Sequence, residues 1–298
     1  HAILHLLYSR FFTKSINSYD NEIDLSEPFQ NLFTQGMVCH ETYKDEDGNW
    51  LYPEEVEKTS NDLTVKKKNK EKIIVGPSES MSKSKKNTVD PETMIAQYGA
   101  DAVRWFILSD SPPEKDILWS DKGVVAANKF LQRIWNLNFE IIERNNKKPN
   151  TEITDRFNQE INNLVYKIDK SIESFKFNVA IANFYEAYKI FTSYIDAEVD
   201  NKTLINNFTT YIKLILPFTP FTAHECLELL HCKSVDNWPI IKNNFKKQIN
   251  IAVQINGKTR DILQISIDTD EKKVDDLIRK QSKANKFLEN KKIVKMIF

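Results

Sequence analysis

Through most of residues 121–230 the apolar side chains return every three or four positions, the spacing of one helix face. Val124, Ala127, Leu131, Ile134 and Ile141 form a first stripe, with Asp121 as its expected N-cap. Lys147-Lys148-Pro149-Asn150 interrupts the pattern, and Ile153, Phe157, Ile161, Leu164, Ile168, Ile172 and Phe175 form a second stripe. A third helix is expected from Asn178, carrying Ala182, Tyr185, Tyr188 and Ile195. A fourth ends at Leu216 before Pro217, and a fifth runs from Pro220 through Leu230. Amphipathic helices with short connections predict a bundle. Phe218, Phe221 and Trp238 are expected to pack in it rather than to stack on bases.

Past Trp238-Pro239 the period becomes two. Ile249, Ile251, Val253 and Ile255 alternate with polar residues up to Asn256-Gly257, a strong hairpin signal. Ile262, Ile265 and Ile267 continue on a second strand, with a change of phase near Leu263 that reads as a bulge. A charged helix over about 270–290 and a short strand, Ile293 to Phe298, complete this part. Ahead of the bundle, residues 1–19 read as a helix with Leu4, Leu7, Tyr8 and Phe11 on one face. Residues 20–30 are a polar link ending at Pro28, and Val38 to Trp50 reads as strand–turn–strand around Asp47-Gly48. Residues 53–70 read as a charged excursion. Ile73-Ile74-Val75 is expected as a short strand, a helical pattern follows through Met94, Ile95, Tyr98, Ala102 and Phe106, and Val103 to Leu108 is a short apolar run.

A chain of 298 residues allows two or three cores. Its formal charge is zero, so net charge names no partner, but the local balance does. Residues 65–87 and residues 246–298 each carry a net +6, the footprint of a polyanion or of a solvated basic surface. Cys39, Cys226 and Cys232 cannot all pair and fit a reducing cytoplasm. Cys39-His40 are adjacent, and His224, Cys226, His231 and Cys232 fall on one expected helix. Neither set has paired Cys-x-x-Cys spacing, so no metal site is expected. No apolar run is long enough for a membrane span and no signal-peptide pattern opens the chain.

The most specific stretch is Ser80-Met81-Ser82-Lys83-Ser84-Lys85-Lys86-Asn87, a loop rich in hydroxyls and ammonium groups ahead of a helix. Such chemistry suits a polyphosphate, and also a solvated loop or a basic address signal. It resembles the KMSKS loop of class I aminoacyl-tRNA synthetases, with Ser80 where that family usually has its first lysine. Other blocks surround it in order. They are His1-Ala2-Ile3-Leu4-His5, Gln35-Gly36-Met37-Val38, Tyr98-Gly99-Ala100-Asp101-Ala102-Val103-Arg104 and Ser111-Pro112-Pro113-Glu114-Lys115-Asp116-Ile117-Leu118-Trp119-Ser120. Together they resemble the bacterial type of leucyl-tRNA synthetase. Valyl and isoleucyl enzymes share the loop and the helical region but not the His1 block.

The resemblance implies an α/β plus all-α organisation. Residues 1–120 would be the C-terminal part of a Rossmann-type catalytic domain, residues 121–239 a helical anticodon-binding domain, and residues 246–298 a small, truncated α+β C-terminal domain. A start at His1 within a helix reads as a fragment, lacking the HIGH signature and the editing insertion and expected to be inactive alone. Met81, Ser82, Lys83 and Ser84 would bind ATP, which arrives with Mg2+, and Lys83 would hold the leaving pyrophosphate. His1 and His5, four apart, would line the leucine pocket; Ala2 excludes the zinc-protease HExxH pattern. Lys85, Lys86, Lys258, Arg260, Arg279, Lys280, Lys283 and Lys286 would contact tRNA(Leu). The complete enzyme is expected to be cytoplasmic and monomeric. A non-catalytic tRNA-binding module is the alternative from another class, and a valyl or isoleucyl enzyme a third.

Overall fold

The computed structural model describes residues 2–19, 25–59, 64–235, 237–240, 248–266 and 269–288. Contacts divide the chain into two compact units, His1–Thr88 with Pro113–Trp119 and Val89–Pro112 with Ser120–Phe298.

In the first unit a π-wound segment, Ala2–Tyr8, leads into helix α1 (Ser9–Tyr19). The helix forms as its period predicts, but Leu4, Leu7, Tyr8 and Phe11 are exposed and α1 buries no residue. Among the described residues six strands follow: β1 (Val38–Lys44), β2 (Trp50–Leu51), β3 (Val56–Lys58), β4 (Thr64–Lys66), β5 (Ile74–Ser80) and β6 (Ile117–Leu118). Strand β1 is central, antiparallel to β2 and β5 and parallel to β6. The β1–β2 turn is the expected one. Gly48 takes φ +86°, its N–H donates to Asp45 O, and the Asp45 carboxylate accepts the Asn49 N–H at 2.8 Å.

Two expectations are corrected here. Strand β5 runs on from the isoleucines through Gly76-Pro77, so Ser80 ends a strand instead of opening a loop. The register slips between Glu41 and Thr42 and leaves Pro77 as the extra residue of a bulge. Because β5 is an edge strand, a residue without an N–H fits there. Gly76 is needed for close approach, since a Cβ would sit 2.4 Å from Thr42 Oγ1. The charged excursion is the second correction. It contains the β3–β4 pair, anchored by buried Val56 and Val65, and Val56 packs with Tyr43 and Leu51. Lysine density masked these two apolar positions.

The second unit contains helices α2 (Pro91–Tyr98), α3 (Ala100–Ser109), α4 (Asp121–Glu143), α5 (Thr151–Glu173), α6 (Phe177–Tyr194), α7 (Asn201–Ile215) and α8 (Pro220–Leu229). A hairpin of β7 (Gln248–Ile255) and β8 (Lys258–Ser266) and helix α9 (Glu271–Gln281) follow. The pattern expected as one helix from Met94 to Phe106 is two, parted at Gly99 with φ +83°. The Val103–Leu108 run lies inside α3. Ser120, not Asp121, caps α4, its hydroxyl accepting the Gly123 N–H at 3.2 Å.

The bundle core is aromatic. Trp105 on α3 is fully buried against Phe130 of α4 and Phe184 of α6, and its indole N–H donates to the Tyr185 hydroxyl at 3.2 Å. Phe157, Phe191, Phe208 and Tyr211 extend the cluster through α5, α6 and α7. On α5 the expected stripe is the buried one for Phe157, Ile161, Leu164 and Ile168, whereas Phe175 lies past the helix end with φ +57° and is exposed. On α6 the stripe is displaced: Ile181, Phe184, Ala187, Phe191 and Tyr194 are buried, Ala182 is exposed, and Tyr185 packs its ring on Trp105 and Phe130 while staying partly exposed. Phe218 packs in the core as expected, while Phe221 is 68% exposed. Trp238 is also exposed, and its indole donates to Asp169 at 2.9 Å.

Helix α8 stops at Leu229, so His231 and Cys232 do not share it with His224 and Cys226. Cys226 is buried in the core, which pushes its thiol up to about 12. At the hairpin, Asn256 and Gly257 both take positive φ, as a type I′ turn requires. The bulge falls at Arg260 instead of Leu263: Val253 pairs with Asp261 and Gln254 with Thr259. Helix α9 is shorter than its charge pattern suggested, closing at Ser282 before a 3-10 turn, Asn285–Phe287. Ile267 and the strand expected at Ile293–Phe298 lie outside the described residues. No helix of the described residues is long and apolar enough to cross a membrane.

Candidate functional site

The lysine loop begins where β5 ends. The Met81 N–H donates to Val38 O at 3.1 Å, Ser82 is extended, and Lys83–Lys85 make one 3-10 turn. Lys86 closes the turn with φ +52°, its N–H donating to Lys83 O. Beneath the turn lies Asn87, with no exposed surface. Its Oδ1 accepts the Ser82 N–H at 2.8 Å, and its Nδ2 faces the carbonyls of Glu79, Ser80 and His40 at 3.1–3.4 Å. The Ser82 and Ser84 hydroxyls are hydrogen-bonded to each other at 2.7 Å.

This geometry separates three lysines that look equivalent in the sequence. The Lys85 ammonium pairs with Glu79. Lys86 Nζ lies over the Tyr52 ring, 5.2 Å from its centroid. Lys83 is exposed, and no carboxylate among the described residues pairs with it. The loop therefore offers a free ammonium beside two hydroxyls on a fixed turn, which can receive an anion. His5 is exposed on the π-wound segment, and His1 lies outside the described residues.

In the second unit the Gly99–Arg104 block has a physical role that sequence reading did not assign. The Asp101 carboxylate is buried and accepts the Phe221 and Thr222 N–H groups at 3.4 and 2.6 Å, at the start of α8. One turn on, Arg104 donates to Pro217 O at 2.7 Å and Phe218 O at 3.1 Å, just past α7. Acid meets helix N-terminus and base meets helix C-terminus, the favourable sense of both dipoles. Opposite charges three apart on an otherwise apolar helix were the available signal.

The candidate tRNA residues fall into two sets. Arg260 stacks over Phe287, 4.2 Å from the ring centroid, and Lys286 Nζ lies 5.3 Å from the same ring. Lys283 joins them through its N–H, which donates to Asp261 at 2.8 Å. Arg279 instead pairs with Asp275 at 2.8 Å along α9, while Lys258 and Lys280 are exposed at the hairpin turn and on α9. Phe287 as a shared platform was not foreseen. Asp261 ties hairpin to helix, since the Ser282 hydroxyl donates to it at 2.6 Å. That bond, followed by the Ile262 and Lys283 N–H groups, holds its carboxyl below the usual range. A depressed folded-state value stabilises above the unfolded pKa of about 4 and is lost as pH falls through the folded one. Exchange of the Lys283 amide should accelerate below about pH 4 beyond its intrinsic change. Asp261→Asn should remove that dependence; a variant that keeps it would exclude Asp261 as the source.

Two family models match. The anticodon-binding domain of tRNA ligase covers residues 155–275. The model for tRNA synthetases class I (I, L, M and V) covers residues 73–120, which include the lysine loop. Neither separates leucine from its neighbours. Leucine–tRNA ligases of Rickettsia massiliae (strain Mtu5) and Rickettsia bellii (strain RML369-C) are 39% and 40% identical over the whole chain.

This chain is homologous to part of leucine–tRNA ligase.

It spans about a third, 36%, of the length of these relatives. A solved structure, the ternary complex of Agrobacterium radiobacter K84 agnB2 LeuRS-tRNA-LeuAMS, matches all of this chain and 35% of that protein. The TM-score is 0.67 at 23% identity, a likeness of fold. The fold is thus of the class I synthetase kind, with the leucine–tRNA ligase homology running through both units and the anticodon-binding match running from within α5 through the hairpin into α9.

Proposed function

We propose that the complete gene product carrying this chain is a leucine–tRNA ligase. It would activate leucine with ATP to leucyl-adenylate and transfer it to tRNA(Leu). The observation that carries the reading is the lysine loop, where one ammonium, Lys83, stands unpaired among the described residues on a turn fixed from below while its neighbours are engaged. A pure tRNA-binding module has no need of that arrangement. In the reaction the leucine carboxylate attacks the α-phosphorus of ATP and pyrophosphate leaves. Negative charge builds on the phosphoryl oxygens, so a placed cation lowers the barrier. Lys83 takes that role, with Met81, Ser82 and Ser84 shaping the phosphate seat and Lys85 and Lys86 beside it. The loop carries ammonium and hydroxyl groups and only the paired Glu79, so it fits the polyphosphate; Mg2+ comes with the nucleotide. The leucine pocket would include His5 and, outside the described residues, His1.

Residues 1–120 would then close the catalytic domain, residues 121–239 serve as the anticodon-binding helices and residues 246–298 as a small tRNA-docking domain. Free thiols at Cys39, Cys226 and Cys232 suit a cytoplasmic enzyme, which we propose to be monomeric when complete. Docking would use Lys258, Arg260, Arg279, Lys280, Lys283 and Lys286 on tRNA phosphates, reading shape and not the anticodon. The 298-residue chain should bind tRNA(Leu) with an affinity that falls steeply with salt. Arg260→Ala with Lys286→Ala should flatten the logarithmic slope by about one per lost phosphate contact. Exchanging the anticodon should change little. A slope untouched by the double substitution, or a strong anticodon preference, would contradict the docking surface.

A further inference from the structure

We infer that Asn87 is the positioning residue of the lysine loop, setting the backbone from which Lys83 reaches the polyphosphate; this rests on the ligase reading above. One buried side chain ties both flanks of Met81. The Ser80 carbonyl before it faces Nδ2 and the Ser82 N–H after it donates to Oδ1. The same amide reaches Glu79 O on β5 and His40 O on the central strand, so the loop is referenced to the sheet. Lys83 follows Ser82 directly, and the backbone direction at Ser82 decides where its ammonium points. Lys85 and Lys86 are held by Glu79 and Tyr52, while the exposed Lys83 depends on its backbone for placement.

The chemistry of the amide is specific. An aspartate at position 87 keeps the acceptor for Ser82 N–H but turns an oxygen toward three carbonyls, losing the donor half of the clamp. An alanine loses both halves. A residue that only filled space would tolerate the aspartate in volume. It would lower the active fraction without altering the substrate constants.

The test has two arms. In the 298-residue chain, Asn87→Ala should speed exchange of the Ser82 amide roughly tenfold, one hydrogen bond's worth, with the β1–β5 ladder amides unchanged. Asn87→Ser replaces any variant in which the ladder itself loses protection. In the complete gene product, Asn87→Asp should lower leucine-dependent pyrophosphate exchange about a hundredfold in kcat/KM for ATP, the scale of a misplaced catalytic group. The KM for ATP should rise and that for leucine stay fixed. Unchanged Ser82 exchange overturns the clamp. Fast Ser82 exchange with unaltered ATP constants, or a fall in rate that disappears once active sites are counted by burst titration, overturns the positioning role. Lys83→Ala run in parallel separates the two ideas: if it has no effect, the ligase reading of the loop fails first and the role of Asn87 toward phosphate goes with it.

Discussion

Replacing Lys83 by alanine should lower leucine-dependent pyrophosphate exchange in the complete gene product by about a hundredfold or more. Removing one preorganised group that stabilises transition-state charge costs about 3 kcal/mol, and each 1.36 kcal/mol is about a factor of ten. The size of the effect follows from what surrounds Lys83. It is exposed, unpaired among the described residues, and mounted on a turn locked by Asn87, so no neighbour takes its place. Lys85→Ala should cost much less, since that ammonium is already paired with Glu79. Ser80→Lys should be neutral or mildly activating, because Ser80 is exposed at the end of an edge strand and a longer cation there displaces nothing. An unchanged exchange rate in Lys83→Ala would remove Lys83 from the mechanism.

The second large effect is structural. Trp105→Ala should destabilise the helical unit by about 3–5 kcal/mol, the cost of emptying a large aromatic site in a packed core. For a unit of this size that is a drop of roughly 10 °C in unfolding midpoint. Trp105 is fully buried where α3, α4 and α6 meet, and it alone satisfies the Tyr185 hydroxyl among the hydrogen bonds described there. Trp105→Phe should retain most of the stability, losing the indole bond and part of the ring. If alanine and phenylalanine behave alike and both are mild, the aromatic cluster is not what holds these helices together.

The features legible in the sequence were those with a local cause. Asn256-Gly257 specified its turn because both positions need positive φ, and Pro217 and Pro220 marked the α7–α8 corner because proline cannot continue one helix but can open the next. The α5 stripe was readable because only one face is apolar. On α6 two apolar stripes exist, and period alone could not choose Phe184 over Tyr185; both rings touch Trp105 on α3, and the further contact with Tyr211 on α7 goes with the burial of Phe184. The same limit hid the site's supports. Asn87 is a single amide in a polar loop, and burial, which gives it meaning, has no periodicity. Asp101 and Arg104 act on groups more than a hundred residues away. Charge runs misled in both directions: they concealed the β3–β4 pair and lengthened α9 beyond Ser282. The lysine loop itself was found by its residue types, but which lysine stands free required the contacts of Glu79 and Tyr52.

The central claim is that this chain supplies the phosphate-side loop and the tRNA-docking domain of a leucine-activating enzyme. Its most direct test is amino-acid-dependent pyrophosphate exchange by the complete gene product, measured with leucine, valine and isoleucine separately. The account predicts exchange with leucine far above the other two, abolished to about one part in a hundred by Lys83→Ala. Exchange driven by valine or isoleucine, or tRNA binding with no exchange for any of the three, would contradict it.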